Sequence, residues 1–203
     1  MAIDTFGFLT DQSTLMAVVL GAILATIGGF VATVLERFLD RRERERNAAL
    51  FFGEVLSTFS LIIAFADDTK KIGEPFGPVT TRMLRSARSE IDIYDRNRES
   101  LFDLRHAELR ARIQNLVIRL SMTLDGVNEA TPEIVAMQMQ LRSTRDPEDR
   151  ADLEARIALA EARRASAYQF LVETAQNLKS VITDLEPLAH HSFERISRIA
   201  RAT

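Results

Sequence analysis

The sequence predicts an all-α protein: a single N-terminal transmembrane helix that continues into an elongated antiparallel helical bundle. Three observations predict it. Leu15 to Leu35 runs for 21 residues without a charge. Beyond it, apolar residues recur at the three- and four-residue steps of amphipathic helices. Gly (8) and Pro (5) are scarce among 203 residues and Trp is absent, which suits long helices better than sheets with many turns.

Composition narrows the function classes. Hydrophobic residues make up 46% and charged residues 27%, a balance that excludes wholesale disorder. The 26 basic and 29 acidic residues leave a net charge of −3, without the basic excess of a nucleic-acid binder. With no Cys, disulfides, thiolate metal sites and cysteine nucleophiles are excluded.

The membrane segment comes first. Eleven residues of Leu15 to Leu35 are Leu, Ile, Val or Phe. About 20 apolar residues cross a bilayer core as a helix, and a helix satisfies its own backbone where lipid cannot. Ser13 or Thr14 is suited to cap its start. A cleaved signal peptide would need a basic leader, whereas Asp4 and Asp11 precede the span and no Lys or Arg does. A retained anchor is therefore expected. Arg37, Arg41, Arg42, Arg44 and Arg46 follow it at once, so the positive-inside rule puts the downstream side in the cytoplasm. The expected organisation is an extracytoplasmic tail (1–14), the span (15–35), a charged juxtamembrane helix (36–46) and a cytoplasmic bundle (47–203).

Within the span, Ala17, Gly21, Ala25, Gly29 and Thr33 recur at strict four-residue intervals, hence on one helix face. Small residues in such a row let a second backbone approach closely. Nine of the 21 residues are Gly, Ala or Thr, so composition alone supplies part of this alignment. The row points to another transmembrane helix, from a second copy or a larger membrane complex.

Ala48 to Ala66 is a second apolar stretch, interrupted by Glu54. Nine of the eleven residues Glu36 to Arg46 are charged, and no Gly or Pro is there to turn a hairpin. Ala48, Phe52, Val55, Phe59, Ile62 and Ala66 step by 4, 3, 4, 3, 4, the seam of a packed bundle. One helix over 14–68, about 80 Å long, is therefore preferred to a second span. Two spans would put residues 69–203 outside the cytoplasm. Glu54 itself needs a partner, a raised pKa or a place at the surface.

Gly73, Pro75, Gly77 and Pro78 mark a linker. A helix over 79–89 carries Arg82, Arg85 and Arg88 on one face, for headgroups, a phosphate, solvent or acidic neighbours. Ile91 and Ile93 read as a short extended piece before a turn and a short helix. A helical stripe then runs through Leu109, Ile113, Leu116, Val117, Leu120 and Leu124, with Gly126 placed as its C-cap. Thr131-Pro132 is expected to start another helix, with Met137 and Met139 as core filling. Asp146-Pro147-Glu148-Asp149 is a strong start signal for a helix reaching Glu186. Its buried side is Leu153, Ile157, Ala160, Ala167, Leu171, Ala175, Leu178, Ile182 and Leu185, with Arg164 an imperfection in the row. Pro187 should break it before a last helix with Phe193, Ile196 and Ala200. Residues 79–119 hold nine Arg against six acids, and 125–161 nine acids against four Arg, charges suited to face one another within the bundle or between copies.

Ile93-Tyr94-Asp95-Arg96-Asn97, followed by Leu101 and Leu104 and then the helix, resembles a pattern of uncharacterised bacterial proteins with an N-terminal membrane anchor. The resemblance covers some 35 residues plus the anchor. It implies placement in a bacterial inner membrane and nothing catalytic. Read physically, Asp95 would cap the short helix and Tyr94 would pack with its hydroxyl at the surface.

No phosphate-binding loop, nucleophile elbow or di-iron signature occurs. Glu186, His190 and Glu194 lie at i, i+4, i+8 with His191 adjacent, but Pro187 disturbs that face and solvation explains it equally well. His106 is expected at the surface. The sequence thus assigns no catalytic residue, metal or cofactor and identifies no small-molecule substrate. Its leading expectation is a non-catalytic anchored interaction protein, an accessory subunit of a membrane complex or a homo-oligomeric scaffold. The alternative is a sensing or signalling module whose bundle binds a ligand and transmits through the long helix.

Overall fold

A computed structural model describes residues 12–73 and 75–193, with side-chain surroundings from Met16 onward. The described residues form helices α1 (Gln12–Ile72), α2 (Pro78–Arg96), α3 (Ala107–Ser143), α4 (Pro147–Gln176) and α5 (Leu178–Ala189). A 3₁₀ helix (Arg98–Asp103) lies between α2 and α3, and no strand occurs among the described residues. The chain divides into two compact units, one ending at Arg44 and the other beginning at Glu45.

In the first unit every described side chain from Met16 to Arg44 is exposed. Ser13 and Thr14 lie inside α1 rather than at its cap. The expected tail falls on residues outside those described, apart from its last three. No break interrupts α1 at the charged stretch, because its residues are good helix formers spaced for i, i+4 pairing.

The second unit is a helical bundle. The predicted seam of α1 is buried, with Phe52 at 0% and Phe59 at 1% exposure, and only Ile62 half-buried. Ala49, Leu56 and Ile63 widen the buried face, since a helix enclosed by several neighbours hides more than one stripe. Glu54 is exposed, so it needs no buried partner.

Helix α2 corrects one expectation. Ile91 and Ile93 are helical, not extended, and the helix runs to Arg96. Thr80, Leu84, Ala87, Ile91 and Tyr94 are buried at steps of 4, 3, 4, 3, so packing on one face outweighs the modest β preference of isoleucine. Asp95 sits in the last turn and caps nothing. The 3₁₀ helix starts after Asn97, whose Nδ2 donates to the Ile93 carbonyl at 2.8 Å. Tyr94 is buried, hydroxyl included.

Helix α3 corrects a second. Gly126 does not end it and Pro132 does not start another; both lie within one helix of 37 residues. A Cβ added at Gly126 would meet Ala167 of α4 at 3.5 Å, an ordinary contact, so no turn dictates glycine there. Pro132 opens the backbone ladder, and the Thr131 hydroxyl donates to the Val127 carbonyl at 2.8 Å beside the gap. Met137 is core, but Met139 is exposed.

Helix α4 starts as predicted: the Asp146 carboxylate accepts from the Glu148 amide at 3.2 Å. Its end differs. The break falls at Asn177, and Pro187 lies inside α5, which closes on His190 in the left-handed conformation (φ 51°). Phe193 sits in a turn after α5 and is buried; Ile196 and Ala200 of the expected last helix lie outside the described residues.

The main core joins all five helices with Phe193. A second, small core consists of Ala130, Ile134 and Met137 from α3 with Ile157 and Ala160 from α4. Helices α3 and α4 thus continue as a two-helix hairpin beyond the reach of the main core.

Candidate functional site

The small-residue row of the first unit lies wholly open. Ala17, Gly21, Ala25, Gly29 and Thr33 are exposed. A Cβ built at Gly21, Gly28 or Gly29 would meet nothing within 4 Å. The two hydroxyls nearby are satisfied inside the helix: Thr26 donates to the Ala22 carbonyl at 2.8 Å and Thr33 to the Gly29 carbonyl at 2.9 Å. With those donors used locally, the surface offers shape and apolar contact rather than hydrogen bonds. Exposed Leu20, Leu24, Phe30 and Val34 complete the apolar surface. Helix α1 is long and apolar enough to cross a membrane, and the most apolar part of it is not buried by the chain.

Arg37, Arg41, Arg42 and Arg44 are exposed and pair with no acid among the described residues, and Arg46 in the second unit does likewise. Glu45 behaves differently. It is 8% exposed and accepts from the Arg105 backbone amide at 3.0 Å, while the Arg105 Nε lies at 3.2 Å. This pair fastens the start of the bundle segment of α1 to the turn before α3. The charge run in the sequence hides the distinction between Glu45 and its solvated neighbours.

The three arginines expected on one face of α2, Arg82, Arg85 and Arg88, separate in role. Arg88 bridges Asp92 at 2.9 Å and Asp125 of α3 at 2.8 Å. Arg85 donates to the Thr81 carbonyl at 3.4 Å, and Arg82 is exposed. Of the basic and acidic regions, Arg88 with Asp125 is the pair that meets; Arg112 instead bonds Asp184 at 2.6 Å and Ser180 at 3.1 Å on α5.

Two shallow cavities of about 290 and 460 Å³ flank that Arg112 network between α3 and α5, one of them bordered by His106. Their central charges are already mutually satisfied. No group of three His, Asp or Glu able to hold a metal occurs among the described residues. Glu186 closes the end of α5 on the turn that follows: its Oε1 accepts from the Ser192 hydroxyl at 3.0 Å and the Phe193 amide at 2.8 Å. His190 is the helix cap beside it, and Glu194 lies outside the described residues.

An unpredicted cluster joins the end of α1, the following turn and α4. Phe76 and Tyr168 meet edge to face at 5.6 Å. Lys70 Nζ stands 4.1 Å from the Tyr168 ring centre, and Arg164 Cζ 4.1 Å from that of Phe76. This explains Arg164 in an otherwise apolar row: its guanidinium is stacked on a ring. The Tyr168 hydroxyl donates to Asp67 at 3.4 Å. Burial, then the Asp67 charge, pushes the phenol pKa well above its usual value. The sequence signal is weak, since Tyr168 is one of two tyrosines and stands among many alanines.

Comparison with protein-family models, curated proteins and solved structures finds no match to this chain.

Proposed function

We propose that this protein is a non-catalytic, membrane-anchored interaction protein: an accessory subunit of a membrane complex or a homo-oligomeric scaffold. One observation carries the reading. From Met16 to Leu35 every side chain is uncharged and exposed, although the same helix later supplies the heart of a packed core. Such a surface is costly in water and stable in lipid. In this reading α1 crosses the inner membrane once, with the N-terminus outside and the bundle in the cytoplasm. Arg37, Arg41, Arg42, Arg44 and Arg46 meet the anionic lipid surface, where each adds about 1 kcal/mol. Ala17, Gly21, Ala25, Gly29 and Thr33 form the seat of a second transmembrane helix.

Native mass spectrometry of the detergent-purified chain tests it. A stoichiometric foreign subunit supports the accessory form and a homo-oligomer the scaffold; a bare monomer from every mild detergent overturns both. Orientation is tested separately with Ser13→Cys and Ser180→Cys. An impermeant thiol reagent applied to intact cells should label the first and spare the second. Labelling at position 180 from outside would reverse the topology.

A second reading, a sensing or signalling module, is favoured by one feature: a cavity in the bundle bordered by Tyr94, whose buried hydroxyl lacks a partner among the described residues.

A further inference from the structure

Phe102 is the most open aromatic side chain among the described residues, at 77% exposure. It lies on the 3₁₀ helix between α2 and α3, and no described ring packs on it. Its neighbour Leu101 turns the other way and is buried, as is Leu104 just past the helix. Residues three apart in a 3₁₀ helix lie in one row, so seating Leu101 and Leu104 in the core fixes Phe102 outward. The turn that follows is held in place: the Arg105 amide donates to the Glu45 carboxylate at 3.0 Å, and the Arg105 Nε lies 3.2 Å from it. A lone open Phe is ordinary on a protein surface; what distinguishes this one is its location.

Glu45 sets that location. Exposed apolar side chains of α1 continue past Leu35 to Phe38 and Leu39. Glu45 follows Leu39 by only six residues, a helix rise of about 9 Å. The headgroup layer outside a hydrocarbon core is roughly 5–8 Å deep. A ring beside the Glu45–Arg105 contact is therefore within a side chain's length of that layer, where Phe is a favoured residue. We propose that Phe102 is a second membrane contact: its ring enters the headgroup layer of the bilayer that α1 crosses and pins the start of the bundle to the lipid surface. The proposal rests on the anchored reading and adds a surface of the bundle itself. Nearby charges define the lipid chemistry. Arg98 is offset by Glu99 and Asp103, all three exposed, and Arg105 is paired with Glu45. The contact is thus made by the ring rather than by charge, and a zwitterionic bilayer suffices.

The chain contains no Trp, so a single substitution reports one position by its fluorescence. Full-length Phe102→Trp, Phe30→Trp and Met139→Trp are compared in phosphatidylcholine bilayers, with and without bromine on the acyl chains near the headgroup. Phe30 is 70% exposed in the proposed span, and Met139 is 60% exposed on the hairpin beyond the main core. Phe102→Trp should emit to the blue of a Trp in water and lose emission when the lipid is brominated. Quenching by bromine separates lipid from a second copy of the chain, which would shift the emission without quenching it. Met139→Trp should emit as in water and stay unquenched. Water-like, unquenched emission from Phe102→Trp overturns the proposal, as does equal quenching of Phe102→Trp and Met139→Trp. Phe102→Trp exchanges one open ring for another and should melt with the native chain; Glu99→Trp, one 3₁₀ turn earlier in the same row, gives the same reading if it does not. Quenching of Phe30→Trp without quenching of Phe102→Trp leaves the anchor standing and sinks this contact alone; loss of both sinks the anchor as well.

Discussion

Glycine serves opposite ends in the two units. At Gly21 and Gly29 an added Cβ would meet nothing within 4 Å. At Gly53 it would collide with the Cζ end of the Phe193 ring. The same residue type, on one helix, marks an open surface in one place and a filled notch in the other. Small size therefore reports close approach only after the approaching partner is known. At Gly53 the partner belongs to the chain; at Gly21 and Gly29 the proposed partner is a second helix in the bilayer.

Substitutions can break that contrast. The largest effect is expected from Phe59→Ala, a fully buried ring, at about 3–5 kcal/mol of bundle stability. Its counterpart Phe30→Ala, 70% exposed, should leave bundle unfolding unchanged. Urea titration followed by circular dichroism measures both, and equal losses would mean that the two halves of α1 are not distinct environments. Next comes Gly53→Ala, expected to destabilise by about 1–3 kcal/mol through overpacking against Phe193. The double substitution Gly21→Ile with Gly29→Ile should instead shift bundle stability by less than about 0.5 kcal/mol while reducing assembly in crosslinking. Intact assembly would remove the small-residue seat.

A smaller effect sharpens the hairpin of α3 and α4. Asp146→Ala removes the carboxylate that caps α4 and should cost about 1 kcal/mol. Because the hairpin's far end packs on the small core of Ala130, Ile134, Met137, Ile157 and Ala160, apart from the main core, the loss should appear there first. Faster amide exchange in 130–160 than in 48–66 is the expected signature.

Alkaline pH gives the gentlest probe. Tyr94 and Tyr168 both have folded pKa values raised above the ordinary phenol value of 10.0. A raised folded pKa means the native state holds its proton more tightly than the unfolded chain. The associated stability is present in full below pH 10 and is lost as pH rises beyond it toward the folded values. Melting temperature should fall above about pH 10, and Tyr168→Phe should flatten part of that fall. A pH-independent melting curve through that range would contradict the burial of both phenols.

Much of the architecture is legible in the sequence because it is periodic. The α1 seam, the α3 stripe from Leu109 to Leu124 and the Asp146-Pro147 start each follow from local spacing or capping chemistry. Misreadings arise where local signals conflict with packing. Gly126 and Pro132 look like punctuation, yet α4 lies alongside and holds α3 together through both. Ile91 and Ile93 resemble a strand, yet Ile91 continues the buried seam of α2. Pro187 looks like the break, while Asn177, a weaker signal, is where α4 and α5 part. The candidate sites divide the same way. The row at 17–33 is a spacing in one segment and can be read directly. The Tyr94 cavity and the Lys70, Phe76, Arg164 and Tyr168 cluster bring together residues far apart in sequence, which no local pattern encodes.

The fit of Phe193 over Gly53 has a consequence for how the protein is made. The notch is translated 140 residues before its plug, as the two positions show (193 − 53). Until the ribosome reaches Phe193, the apolar face of α1 around Phe52 lacks its final cover. A nascent chain stalled before that point should be the species that chaperones and proteases recognise, and contacts so distant in sequence form slowly.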